Sequence, residues 1–145
     1  MFVSELMSTR LITVELDDKL SAVKEIFESV NIHHLLVIES KMVFGVVSDR
    51  DLYKALSPNI GTRTETSKDT ATLNKRVHQI ASRRPIVLPV SATIEEAIYI
   101  FNTHNISCIP IVDHEMEPIG IITTRSILKA LGEKKITLLA TCKTQ

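Results

Sequence analysis

The sequence predicts an α+β fold of two tandem β-α-β-β-α repeats packed about a pseudo-twofold axis. Three observations lead there. Residues 3–56 recur as residues 77–131. Each copy alternates apolar runs of strand length with stretches of helical periodicity. A polar stretch rich in Ser, Thr and Asp separates the copies. Sliding the chain by 74 places pairs Val3 with Val77, Ser8 with Ser82, Arg10 with Arg84, Ile12 with Ile86, and Asn31-Ile32 with Asn105-Ile106. One extra residue enters near Glu117, and a shift of 75 then pairs Gly45 with Gly120, Arg50 with Arg125, and Lys54-Ala55-Leu56 with Lys129-Ala130-Leu131. A repeat of this kind marks a tandem architecture. The crevice between two such units is a natural ligand site. The expected divisions are a first repeat at 1–56, a polar linker at 57–74, a second repeat at 75–131 and a tail at 132–145.

Each element has its reason. Val3 to Ser8 reads as a short amphipathic turn and Ile12 to Val14 as a brief strand. Leu20, Val23, Ile26, Phe27 and Val30 fall at helical spacing, which predicts a helix over 19–30 with one apolar stripe. Leu35-Leu36-Val37-Ile38 is an apolar run of strand length, and a turn at Ser40-Lys41 returns the chain through Val43 to Val47 as a hairpin. Ser48 starts a closing helix that carries Leu52, Ala55 and Leu56. In the second repeat, Ile94, Ala97, Ile98 and Phe101 mark the main helix. Ile109 to Val112 and Ile119 to Ile122 form its hairpin, and Ser126 to Leu131 lies in its last helix. The linker is long for a compact domain, and its composition predicts partial mobility. In the tail, Ile136, Leu138 and Leu139 are apolar enough to dock against a repeat or a second chain.

Composition narrows the function classes. Formal net charge is zero, which argues against a nucleic-acid surface, since phosphate backbones need a basic face. The first fifteen residues lack a signal peptide's apolar core, and no later run is long enough to span a bilayer, so a cytoplasmic setting is expected. Cys108 sits in an apolar run and reads as a buried structural thiol; no metal-ligand spacing is present. Adjacent His33 and His34 point opposite ways in a strand, one packed and one exposed, which does not suit a shared metal but leaves a pH-responsive role open. His78, His104 and His114 read as ordinary surface residues. Lys75, Arg76, Arg83 and Arg84 are explained as solvated charges, with Arg84 and its counterpart Arg10 able to reach an anion.

The most informative stretch is Gly45-Val46-Val47-Ser48-Asp49-Arg50-Asp51. A hydroxyl and a carboxylate stand three residues apart where an apolar strand enters a helix. Helix N-termini expose unpaired N–H groups that attract phosphate. Ser48 can add a hydroxyl to such a cradle and Arg50 a cation, while Asp51 is suited to a ribose diol. The same spacing is also a capping box, in which Ser48 caps and Asp51 returns a bond to the N-cap amide. Both readings account for the two residues. The second copy, Gly120-Ile121-Ile122-Thr123-Thr124-Arg125-Ser126, keeps the hydroxyl and the Arg but replaces the acid by Ser126.

Two tandem units, each closing on Gly-hydrophobic-hydrophobic-Ser/Thr before a helix, with Asn105-Ile106-Ser107-Cys108-Ile109-Pro110-Ile111-Val112-Asp113 entering the second hairpin, resemble a cystathionine-β-synthase-type (CBS) domain pair. The resemblance covers nearly the whole chain apart from linker and tail. It implies a disk-like module with two crevices that binds adenosine-containing ligands as a sensor. Carried over residue by residue, the main crevice would combine Ser48, Asp49, Arg50 and Asp51 with Ile86, Ile106 and Ser107. Ile86 and Ile106 would hold the base, and Ser107 would lie beside the phosphates. A weaker crevice would combine Thr123, Thr124, Arg125 and Ser126 with Ile12, Ile32 and His33. Two departures make that second crevice the weaker one: Ser126 replaces the acid, and Leu36 with His33-His34 replaces Pro110 and its small neighbours. One ligand per chain is the expectation.

No nucleophile, base and orienting group can be assembled from the sequence, so an enzyme is not expected. No cofactor is required; an adenine nucleotide or S-adenosylmethionine is the expected regulatory ligand. The resemblance also implies a homodimer through the closing helices, with Leu52, Leu56, Ile127 and Leu128 as candidate surface or core. An unidentified regulated protein would be the other partner. The alternative is a structural dimerisation and protein-interaction module with a vestigial crevice.

Overall fold

In the computed structural model, which describes residues 1–134 and 136, the chain forms two sheets with helices packed against them. After a 3-10 turn at Val3–Glu5 come β1 (Thr13–Val14), α1 (Leu20–Ser29), β2 (His34–Glu39), β3 (Met42–Ser48) and α2 (Asp49–Ala55). Helix α3 (Ser67–Ala71) and two 3-10 turns (Thr72–Asn74, Val77–Gln79) lead into β4 (Ser82–Arg83) and β5 (Leu88–Pro89). The second repeat continues with α4 (Ile94–Thr103), β6 (Cys108–Val112), β7 (Pro118–Thr123) and α5 (Thr124–Gly132). The strand orders are β1-β2-β3-β4 and β5-β6-β7. In each sheet a parallel crossover through the main helix precedes an antiparallel hairpin. No helix among the described residues is long and apolar enough to cross a membrane.

The two hairpins show where the extra residue went. Glu39 faces Met42 across a two-residue turn whose centre, Ser40 and Lys41, has φ of 50° and 67°. That is the doubly left-handed turn that matches strand twist. In the second hairpin the Asp113 N–H bonds the Glu117 carbonyl at 3.0 Å. Three residues therefore stand where two stood, and Met116 takes the left-handed conformation at φ 65°. A three-residue hairpin loop needs such a residue in its last position.

Each repeat opens by packing into the other. Val3 is fully buried in the core of the second repeat, among Ile94, Ala97, Ile109 and Ile122. Val77 is fully buried in the core of the first, among Leu20, Val23, Leu35 and Leu52. The backbone repeats the exchange: Val3 N–H bonds Ala92 O, and Val77 N–H bonds Asp18 O, both at 2.9 Å. Ser8 pairs with Ile121 of β7, and β4 pairs through Ser82 with Val46 of β3. Corresponding residues thus make corresponding contacts, as a pseudo-twofold relation requires. The paired glycines follow from it. A Cβ at Gly45 would overlap the Ser82 carbonyl oxygen, and one at Gly120 would overlap the Met7 side chain.

The stretch read as a polar linker contains a short helix and a 3-10 turn. At the start of α3, Asp69 Oδ2 accepts from the Thr66 N–H at 2.7 Å and from the Thr66 hydroxyl at 3.0 Å. The Ser57 hydroxyl donates to Asp69 Oδ1 at 2.6 Å, and the Ser57 N–H to Thr72 Oγ1 at 3.1 Å. Ile60 and Leu73 pack against the first core. Polar side chains, not apolar ones, organise this segment. Of the tail, Ile136 packs against the second core; Leu138, Leu139 and Cys142 lie outside the described residues.

Candidate functional site

Where the repeats face each other they enclose a cleft of about 1160 Å³. Strands β3 and β7 both end at its wall, so Ser48 and Thr123 stand at equivalent points as N-caps of α2 and α5. The loops that follow are pinned in the same way. The Asp49 N–H bonds the His33 carbonyl at 3.0 Å, and the Thr124 N–H bonds that of Ser107 at 3.1 Å.

All seven residues expected in the main crevice line this cleft: Ser48, Asp49, Arg50, Asp51, Ile86, Ile106 and Ser107. So do all seven of the weaker one: Ile12, Ile32, His33, Thr123, Thr124, Arg125 and Ser126. Residues of both expected crevices line this one cleft, whose volume lies slightly above the range of about 300–1,000 Å³ usual for ligand pockets. Leu36 lines it while Pro110, its counterpart, does not.

The capping box at α2 is formed in full. The Asp51 N–H donates to Ser48 Oγ at 3.1 Å, and the Ser48 N–H donates to Asp51 Oδ2 at 3.0 Å. Asp51 caps through Oδ2 only; among the described residues Oδ1 has no hydrogen-bond partner. Cap and diol acceptor are therefore compatible roles, one carboxylate oxygen for each. At α5 the Ser126 N–H donates to Thr123 Oγ1 at 3.1 Å and the two hydroxyls lie 2.9 Å apart. The cap survives there without a carboxylate.

Charge in the cleft is mixed. Arg10, Arg50, Lys54 and Arg125 line it as cations, against the carboxylates of Asp49 and Asp51. Asp49 Oδ2 lies 2.8 Å from His33 Nδ1. His34 Nε2 lies 3.0 Å from Ser107 Oγ, a contact from the first repeat to the second. Burial lowers the His34 pKa from its ordinary value, although the carboxylates of Asp49 and Asp51 act against it. Cys108 is buried at the same wall, and burial pushes its thiol up to about 12.

Some expectations need correction. Arg84, expected with Arg10 to be able to reach an anion, does not line the cleft, whereas Arg10 does. Arg84 is exposed at φ 53°, in a turn that breaks the repeat's symmetry. The other three basic residues there have structural partners. Lys75 Nζ donates to Ala55 O and Arg76 Nη1 to Asp17 O, while the Arg83 guanidinium lies over the Phe44 ring. Lys54 and Tyr53 line the cleft and were not singled out. Lys54 stands three residues beyond Asp51 on α2, so helical spacing carried that signal.

Comparisons with known proteins agree with this architecture. A family profile described as the CBS domain matches residues 3–58 and again 77–133. A CBS domain-containing protein of Dictyostelium discoideum is 28% identical over 131 residues, covering 89% of this chain and 90% of that one. An L-aspartate semialdehyde sulfurtransferase of Methanocaldococcus jannaschii is 25% identical over 134 residues, of which this chain spans 24%. Among solved structures, the CBS domain pair of the protein MJ0100, in complex with 5′-methylthioadenosine and S-adenosyl-L-methionine, superposes with a TM-score of 0.76 at 22% identity, covering 92% of this chain and 98% of that one. CBSX2 of Arabidopsis thaliana, in complex with AMP, gives 0.75 at 24% identity, covering 93% and 98%. Two matches of one profile, at the two repeats whose opening segments exchange cores, place the chain in the CBS domain family as a tandem pair.

Proposed function

We propose that the chain is a ligand-sensing regulatory module that binds an adenosine-containing nucleotide between its repeats and passes a conformational change to a partner. The observation that carries this reading is the cleft itself. It joins four cations, a half-free carboxylate at Asp51 and the apolar side chains of Ile12, Ile32, Ile86 and Ile106 in one space. Cations suit phosphates, the free Oδ1 suits a ribose diol, and the isoleucines suit the faces of a base. The adenosyl ligands of the MJ0100 pair and of CBSX2 support the same class of ligand. Ser48, Asp49, Arg50, Asp51, Ile86, Ile106 and Ser107 would hold the nucleotide, and the half built on Thr123 to Ser126 would hold it less tightly. A partner would sense the angle between the repeats, with the ligand favouring one arrangement over another.

A second element of the reading is self-association. Leu52, Leu56 and Ile127 are buried and belong to the cores. Leu128 is 67% exposed, and Tyr53, its counterpart on α2, is 53% exposed. This pair is the surface on which a second chain would dock.

The test is a thermal-shift screen against AMP, ADP, ATP and S-adenosylmethionine. A ligand at one hundred times its dissociation constant adds about 2.7 kcal/mol, a shift of several degrees in a domain this size. Stabilisation by an adenine compound supports the sensor reading. No stabilisation by any of them leaves the dimerisation module as the better account.

A further inference from the structure

The repeats differ at two adjacent matching positions of the cleft. The first carries His33-His34 and the second Ser107-Cys108. His34 is half-buried, lines the cleft, and places Nε2 3.0 Å from Ser107 Oγ across the boundary between repeats. His33 is exposed and directed to Asp49. His34 thus shares one cleft with four cations and touches the second repeat at Ser107, whereas burial keeps the thiol of Cys108, its counterpart, protonated.

We propose that His34 makes this cleft favour ligands bearing a phosphate over uncharged nucleosides, by taking up a proton from solvent as the anion docks beside Ser107. The proposal rests on the nucleotide reading above. In the free chain, burial favours the neutral imidazole. The groups facing it are the carboxylates of Asp49 and Asp51, which favour the charged form, and the ring of His33, which opposes it. Arg10, Arg50, Lys54 and Arg125 share the cleft. A bound phosphate adds negative charge beside the imidazole, so His34 holds its proton more tightly in the complex than in the free chain. By linkage, affinity for the phosphate ligand then rises as pH falls through the imidazole range, by at most about tenfold per pH unit for one proton. An uncharged nucleoside gains nothing from that proton. Reciprocity requires that the ligand raise the His34 pKa by the amount that acid raises the affinity.

The experiment is calorimetric titration with AMP near pH 6.5, in two buffers of different ionisation enthalpy, which reads protons taken up per ligand bound. Wild type, His34→Asn, His34→Cys and His114→Asn are compared, each with its melting curve to confirm folding; His114 is exposed and does not line the cleft. The phosphate of AMP titrates near pH 6 itself and, once bound, titrates together with a neighbouring imidazole, so the difference between variants reads the net proton uptake of the pair. Expected is a larger proton uptake in wild type and His114→Asn than in either His34 variant, and no such difference with 5′-methylthioadenosine. Equal uptake in wild type and both His34 variants overturns the proposal while leaving the nucleotide site standing. A loss of uptake that appears in His114→Asn as well overturns it too. If AMP does not bind wild type at all, the nucleotide reading falls and this inference with it.

Discussion

Asp51 carries two roles on one side chain, and they can be separated. Asp51→Ala removes the bond to the Ser48 N–H but leaves the Ser48 hydroxyl on the amide of residue 51. Losing that one hydrogen bond costs about 0.5–1.5 kcal/mol in the free chain. The proposed diol contact adds a second effect: the rise in melting temperature on adding AMP should disappear as well. If the variant melts earlier but AMP still raises its midpoint as much as in wild type, Asp51 is a cap and nothing more. Sequence showed this residue and its ambiguity together. What it could not show is that capping uses Oδ2 alone, because that depends on rotamer and not on spacing. His34 was legible only as half of a pair with opposite exposures; its reach to Ser107 spans 73 positions of sequence. Arg84 misled because symmetry of sequence does not guarantee symmetry of backbone, and a left-handed residue breaks it there.

Among the elements, the short segments that open each repeat matter more than their length suggests. Ser8 and β4 each add a strand-like edge to the other repeat's hairpin, and the two glycines make room for them. The obstacles differ in kind. Gly45→Ala drives a methyl into the backbone carbonyl of Ser82, whereas Gly120→Ala meets a flexible Met7 side chain. Gly45→Ala should therefore lower stability by roughly 1–3 kcal/mol and Gly120→Ala by less. Denaturant unfolding of the two variants gives the ranking, and the reverse order would mean that the β3–β4 contact is easily displaced. Hairpins and main helices were legible because periodicity of two or 3.6 marks them directly. The exchange was not, since Val3 and Val77 look like any apolar residue in a short turn. Helix α3 was hidden because polar side chains build it, yet Thr66-x-x-Asp69 repeats the Ser48-x-x-Asp51 pattern and was the available signal.

For the whole molecule, the repeat predicted two units about an axis, and the opening segment of each completes the core of the other. The same symmetry puts Tyr53 and Leu128 at matching points of α2 and α5, both exposed. If this is the contact with a second chain, the double change Tyr53→Glu and Leu128→Glu should shift the chain from dimer to monomer in sedimentation equilibrium without lowering its helicity. A wild type that sediments as a monomer at all concentrations would remove the dimer from the account. Buried area in such a contact comes from a face the fold itself leaves uncovered, so no core residue needs to move.

The central claim is that an adenosine nucleotide sits between the repeats, and the most direct measurement is amide chemical-shift mapping during titration with AMP. The account predicts the largest shifts at Ser48 to Asp51, Ile86, Ile106 and Ser107, with smaller ones at Thr123 to Ser126. Shifts confined to residues outside the cleft, or none at saturating AMP, would contradict it.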